Sequence, residues 1–193
     1  MPELPEVEVV KNFLNSNFNG KRIQKIKILN KKLRYEIKTN ITKHFINLII
    51  TKIFRRGKYL ILLFENKYTL LVHLGMTGYF RIIKEENYMK HDHLVFYFES
   101  KLLVYNDIRK FGFIKFYKPD EVLNSQHLVK IGPEPFSKEY DFDYFKLNSK
   151  KTTNIKNLLM NQNFVAGLGN IYCSEILFDA KISPKKRSKN LNN

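Results

Sequence analysis

The chain has 193 residues, 44% of them apolar, enough for one large domain or two small ones with packed cores. Its 34 lysines and arginines against 18 acids leave a formal charge of +16, which favours a polyanionic partner, nucleic acid before anionic membrane. One cysteine, Cys173, excludes an intramolecular disulfide and a tetrahedral thiolate zinc site, and no apolar run is long enough to span a bilayer. The N-terminus is acidic and no signal peptide, so the chain reads as soluble and intracellular. Lys, Asn and Ile are abundant throughout, so part of the charge is compositional background and does not by itself name the partner.

The chain opens MPELPEVEVV. If Met1 is removed, Pro2 presents a secondary amine, and an α-amino group titrates near pH ~8, leaving an appreciable nucleophilic fraction. Attack of such an amine on a sugar's anomeric carbon gives an iminium ion, the electron sink of covalent amine catalysis. Glu3 stands beside it to move protons, with Glu6 just inside a helix start. The plainer reading makes Pro5 a first-turn proline and Glu6 and Glu8 acids favoured by the helix dipole. Val7, Val10, Phe13 and Leu14 predict an amphipathic helix over residues 5–15.

From Arg22 to Tyr117 the period changes to that of strands. Ile23, Ile26 and Ile28 open a β-branched segment, and the stretch 58–78 reads as two strands joined by a turn at 65–67. HLVFYFESKLLVYND repeats that design, FGFIKFY adds a strand, and only residues 36–47 suggest a second short helix. Strands joined by short turns predict an antiparallel β-sandwich or barrel. IGPEPFS at 131–137 reads as a linker, and helices are expected near 142–148, 154–161 and 171–180. The organisation is α+β: a β-sandwich domain over 1–130 with its N-terminal helix, the linker, and a helical domain over 138–193.

Several stretches could carry chemistry. Lys58 follows a glycine at a strand start, where a lysine is ordinarily a solvated edge charge. LVHLGMTG sets His73 and Met76 around a glycine turn, a place where packing is the common explanation. NDIRKFG offers Arg109 and Phe111 in a loop suited to groove insertion, with Phe as a wedge and Arg on a base edge. An ordinary turn whose Phe tucks into the core fits the same letters. In KHDH, His91 and His93 point the same way if they lie on a strand; a metal pair, a phosphate contact and a structural pair all remain open. GLGNIYCSE places glycines and Asn170 before a helix, where a phosphate can be held.

PELPEVE, RRGKYL, HLGMTG, KHDH, the D-x-R-x-F-G loop, GPEP and NQNFVAGLGNIYCSE occur in the order of one family. Over essentially its whole length the chain resembles formamidopyrimidine-DNA glycosylase, the bifunctional base-excision repair enzyme. The resemblance implies an N-terminal β-sandwich, a helix-two-turn-helix domain, and duplex DNA carrying oxidised purines or abasic sites as partner. It makes Pro2 the Schiff-base nucleophile, Glu3 the acid that protonates the opening sugar, Glu6 a supporting carboxylate, and Lys58 the lysine that assists elimination. It makes His73, His91, Arg109, Lys151, Lys156 and Asn170 DNA-binding residues, Thr152 being an alternative counterpart to Lys151. Met76, Arg109 and Phe111 become the triad that fills the gap left by the extruded base.

The implied reaction displaces 8-oxoguanine or formamidopyrimidine and then nicks the strand by β- and δ-elimination, in a monomer of bacterial cytoplasmic type. Two departures are mild: Ile108 stands where the family usually has proline, and Lys110 where a second arginine is common. The larger one is the family's C-terminal four-cysteine zinc finger, whose arginine is credited with δ-elimination; this sequence has no counterpart, so no cofactor is expected in it. A fragment or a reduced protein would both give this pattern. Alternative readings are an endonuclease VIII-like enzyme for oxidised pyrimidines, a non-catalytic damaged-DNA-binding remnant, and a β module for polyanions unrelated to repair.

Overall fold

The first helix is placed by its own first turn. In the computed structural model, which describes residues 1–150 and 153–191, α1 (Leu4–Phe18) starts from a capping box. The Glu3 N–H donates to Glu6 Oε2 at 2.8 Å, and a proline occupies the first turn, where a missing N–H costs nothing. The helix runs past residue 15 because Phe18 is an anchor: it is fully buried, with its ring 4.5 Å from that of Phe98. Val7 and Leu14 share that buried face.

The described strands are β1 (Lys25–Ile28), β2 (Ile50–Arg56), β3 (Tyr59–Phe64), β4 (Thr69–His73), β5 (Tyr79–Ile83), β6 (Asp92–Tyr97), β7 (Leu102–Asn106) and β8 (Phe113–Tyr117). They form two four-stranded antiparallel sheets, ordered β1-β6-β7-β5 and β2-β3-β4-β8. Leu60, Leu62, Leu70 and Val72 of one sheet and Leu94, Phe96, Leu103 and Tyr105 of the other enter one core with the buried face of α1. This is the sandwich expected from the strand pattern. The segment 36–47 supplies a short helix, α2 (Thr39–Thr42), and a 3-10 turn over Lys43–Phe45.

Two strands carried no clear alternation. β2 exposes Thr51 and Lys52 at a register shift between Ile50 and Lys52, and β5 has no fully buried position. A bulge of the same kind lies between Asp92 and Leu94 in β6. His93 is therefore the extra residue of a bulge, which re-aims its side chain, while His91 precedes the strand with φ +71°. The two histidines are not a same-face pair, contrary to the expectation from their spacing.

The chain divides into two compact units, Met1–Ser125 and Gln126–Asn193. The second is built from α3 (Phe142–Asn148), α4 (Ile155–Met160) and α5 (Asn170–Asp179) around Ile155, Leu158, Phe164, Val165, Cys173 and Leu177. Side-chain caps start the two shorter helices of this unit: Asp141 accepts from Tyr144 N–H at 2.7 Å, and Asn154 from Asn157 N–H at 2.8 Å. The IGPEPFS segment joins this unit through Gly132 N–H, which donates to the Gln162 carbonyl at 2.9 Å, and the Pro133 carbonyl, which accepts from Ala166 N–H at 2.9 Å.

Candidate active site

The N-terminal end of α1 is stiff. Glu3 is 2% exposed in its capping box, whereas Glu6 is exposed and spends a carboxylate oxygen on the Glu3 N–H. The structure thus gives Glu6 a positioning contact directly beside Pro2. Glu8, one turn on, accepts from Arg55 Nε at 2.8 Å, and Arg55 Nη1 donates to the Gly57 carbonyl at 3.0 Å. Gly57, with φ +55°, and Lys58 form the two-residue turn between β2 and β3. One guanidinium therefore ties the helix that carries Pro2 and Glu3 to the turn that carries Lys58. Lys58 is 7% exposed, so it is not a solvated edge charge.

Burial raises the Glu8 carboxyl, but hydrogen bonds from Lys11 and Arg55 outweigh it and hold the group below its ordinary 4.5. A depressed folded value means the link stabilises above the unfolded value and weakens as pH falls through the folded one. Acid unfolding followed by circular dichroism is expected to begin at lower pH in wild type than in Glu8→Gln. Coincident acid limbs would show that the link contributes nothing.

His73, at the end of β4, belongs to a ring row across three strands. Its centroid lies 5.0 Å from Tyr59 and 5.6 Å from Phe113, and the Tyr59 phenol is pushed up by burial. Gly75 N–H donates to His73 Nδ1 at 3.1 Å, so the ring hydrogen belongs on Nε2. Met1, Arg34, His73, Met76, Arg109 and Phe111 then line one open groove of about 610 Å³. Met76 is 40% exposed and Phe111 46%, so Phe111 does not tuck into the core. The Arg109 guanidinium sits 4.7 Å over the Phe111 ring, a stacked pair at the groove edge.

Asp107 was not singled out by sequence, yet it holds this edge together. It is fully buried; Oδ1 accepts from the Thr77 hydroxyl at 2.5 Å and Oδ2 from Gly112 N–H at 2.8 Å. The Thr77 hydroxyl in turn accepts from Arg109 N–H at 3.1 Å. Asp107 N–H donates to the His91 carbonyl at 3.1 Å, and its own carbonyl accepts from His93 Nε2 at 2.9 Å. The backbones of the two loops touch, since a Cβ on Gly75 would lie 2.3 Å from Gly112 N.

In the second unit Lys156 and Asn170 meet through a residue the sequence reading passed over. Lys156 Nζ donates to Ser174 Oγ at 2.9 Å, and Ser174 Oγ donates to the Asn170 carbonyl at 2.7 Å. Asn170 is exposed at the first turn of α5, behind Gly169 at the N-cap. Lys151, with its alternative Thr152, lies outside the described residues.

Residues 1–114 match the formamidopyrimidine-DNA glycosylase N-terminal domain, and residues 131–193 the formamidopyrimidine-DNA glycosylase H2TH domain. The chain belongs to the formamidopyrimidine-DNA glycosylase family. It is 42% identical to the formamidopyrimidine-DNA glycosylase of Rickettsia bellii (strain OSU 85-389), over 100% of this chain and 71% of the relative. It is 37% identical to that of Legionella pneumophila (strain Philadelphia 1), over 99% of this chain and 70% of the relative.

Solved structures agree. The Lactococcus lactis Fpg bound to abasic-site DNA aligns with a TM-score of 0.92 and 38% identity, over 99% of this chain and 71% of that one. MutM with carbocyclic 8-oxo-G DNA also gives 0.92 and 38%, over 100% and 73%. The zinc site associated with the family does not fit these residues. Cys173 is buried in the helical core, and no group of three or more His, Cys, Asp or Glu among the described residues could hold a metal.

Proposed function

We propose that this chain removes oxidised purines from duplex DNA and nicks the resulting abasic site, as a monomer in the cytoplasm, with Pro2 as its nucleophile. The observation that carries this reading is the groove that gathers the chain start with His73, Met76, Arg109 and Phe111. Once Met1 is removed, the Pro2 nitrogen bonds to C1′ as the glycosidic bond to the base breaks. Glu3 protonates the sugar ring oxygen, which opens the ring to the iminium. That cation acidifies the C2′ hydrogens; loss of one expels the 3′ phosphate in β-elimination. Lys58 assists this step at the adjacent phosphate, and Glu6 holds the Glu3 backbone. His73, His91 and Arg109 in the first unit, and Lys156, Asn170 and Lys151 in the second, grip the DNA. Met76, Arg109 and Phe111 fill the gap, offsetting part of the few kcal/mol that base extrusion costs. The same three residues favour an oxidised purine over the pyrimidine lesions of endonuclease VIII. No step is assigned to zinc.

The test is borohydride trapping on a duplex with 8-oxoguanine opposite cytosine, which should give a covalent protein–DNA adduct. A protein with a non-removable extension ahead of Pro2 should give none, because that nitrogen is then an amide. An adduct that survives the extension would move the nucleophile elsewhere, and an adduct only with an oxidised pyrimidine would change the substrate class. Binding with no adduct would leave a damaged-DNA-binding protein.

A further inference from the structure

We propose that Asp107 and Thr77 are a positioning pair that makes the Met76 loop and the Arg109–Phe111 loop enter DNA as one rigid wedge; this rests on the gap-filling reading above. The two loops come from different connections, one after β4 and one after β7. Each presents its gap-filling side chain to solvent, so those side chains are not held by packing of their own, and the loop backbones meet at Gly75 and Gly112. The Thr77 hydroxyl relays between them, accepting from Arg109 N–H at 3.1 Å and donating to Asp107 Oδ1 at 2.5 Å. The other carboxylate oxygen holds Gly112 N–H at 2.8 Å, immediately after Phe111. Met76 and Phe111 are thereby each one residue from a group bonded into the pair, and Arg109 is bonded into it through its own N–H. His93 Nε2–H and the His91 carbonyl hold the Asp107 main chain from the side of β6, so the anchor is itself anchored.

A carboxylate with both oxygens and both backbone groups engaged, at no exposure, is a rigid pivot. An extruding wedge needs that rigidity, because a misplacement of about 1 Å can cost on the order of 10²-fold in rate.

The probe is a duplex carrying tetrahydrofuran, a stable abasic analogue, with 2-aminopurine beside the orphaned base. Wild-type protein at saturation should raise the fluorescence as the wedge unstacks the neighbour. Thr77→Val and Asp107→Asn should lose most of that rise while still binding, Thr77→Ser should keep it, and the double variant should be no worse than either single. On the 8-oxoguanine duplex, kcat should fall about 10²-fold with preference for opposite cytosine eroded. Thr77→Val, nearly isosteric, carries the test if Asp107→Asn does not fold. Variants that match wild-type fluorescence, or a double variant with multiplied defects, would overturn the pair alone. A wild type that neither unstacks the probe nor forms the borohydride adduct would overturn the pair and the gap-filling reading together.

Discussion

Glu3→Gln is expected to slow strand cleavage at an abasic site by about 10²–10⁴-fold, the range for removing a positioned general acid. Its thermal midpoint should stay within about 2 °C of wild type, since glutamine keeps the oxygen that accepts in the capping box. The separation of the two effects is what gives the variant its force. Glu3 is 2% exposed and sits where any substitution could be suspected of loosening α1. A midpoint shift as large as that of a cap-deleting Glu3→Ala would assign the loss to folding. Unchanged cleavage would remove Glu3 from the proton chemistry. Glu6→Gln is the companion measurement: its contact is to a backbone N–H, so the amide should substitute with a much smaller loss.

The second large effect concerns Gly75. Gly75→Ala should destabilise the first unit by about 3–5 kcal/mol, combining left-handed strain with overpacking. The residue has φ +63°, and the added Cβ would lie 2.3 Å from Gly112 N and 2.5 Å from the Phe111 carbonyl carbon. Those are main-chain atoms and cannot rotate away. The loops must part, which also breaks the Gly75 N–H contact to His73 Nδ1. Calorimetry should show the midpoint lowered by roughly 10 °C, with glycosylase activity lost while the variant is still folded. A midpoint near wild type would show that the two loops can separate without cost.

Much of this was legible in the order of residues. The helix start at PELPEVE, the alternation from β3 to β4 and from β6 to β7, and the capped helices of the second unit follow from local rules. β5 escaped because none of its positions is fully buried, and β2 because a register shift breaks its period. His91 and His93 misled for a related reason: a bulge adds a residue that no periodicity announces. Lys58 shows the converse, since a lysine at a hairpin turn has the letters of a solvated charge and the burial of a site residue. Asp107 was hidden by distance. Its significance comes from Thr77, thirty positions away, and nothing in NDIRKFG distinguishes a carboxylate that bridges loops from one that merely turns the chain. Ser174 was concealed similarly, since it follows both residues it joins and stands far along the chain from Lys156.

Arg55 sets a limit on how this sequence can drift. Its composition leans toward lysine, and Lys110 stands where the family commonly has arginine. At Lys110 the exchange keeps a cation beside the groove. Arg55 does something a lysine cannot: separate nitrogens of one planar group reach Glu8 and the Gly57 carbonyl at once. A flexible ammonium would keep the charge and surrender the fixed span between helix and turn. The exchange that keeps a cation at one position would thus detune the spacing of proline and lysine at the other.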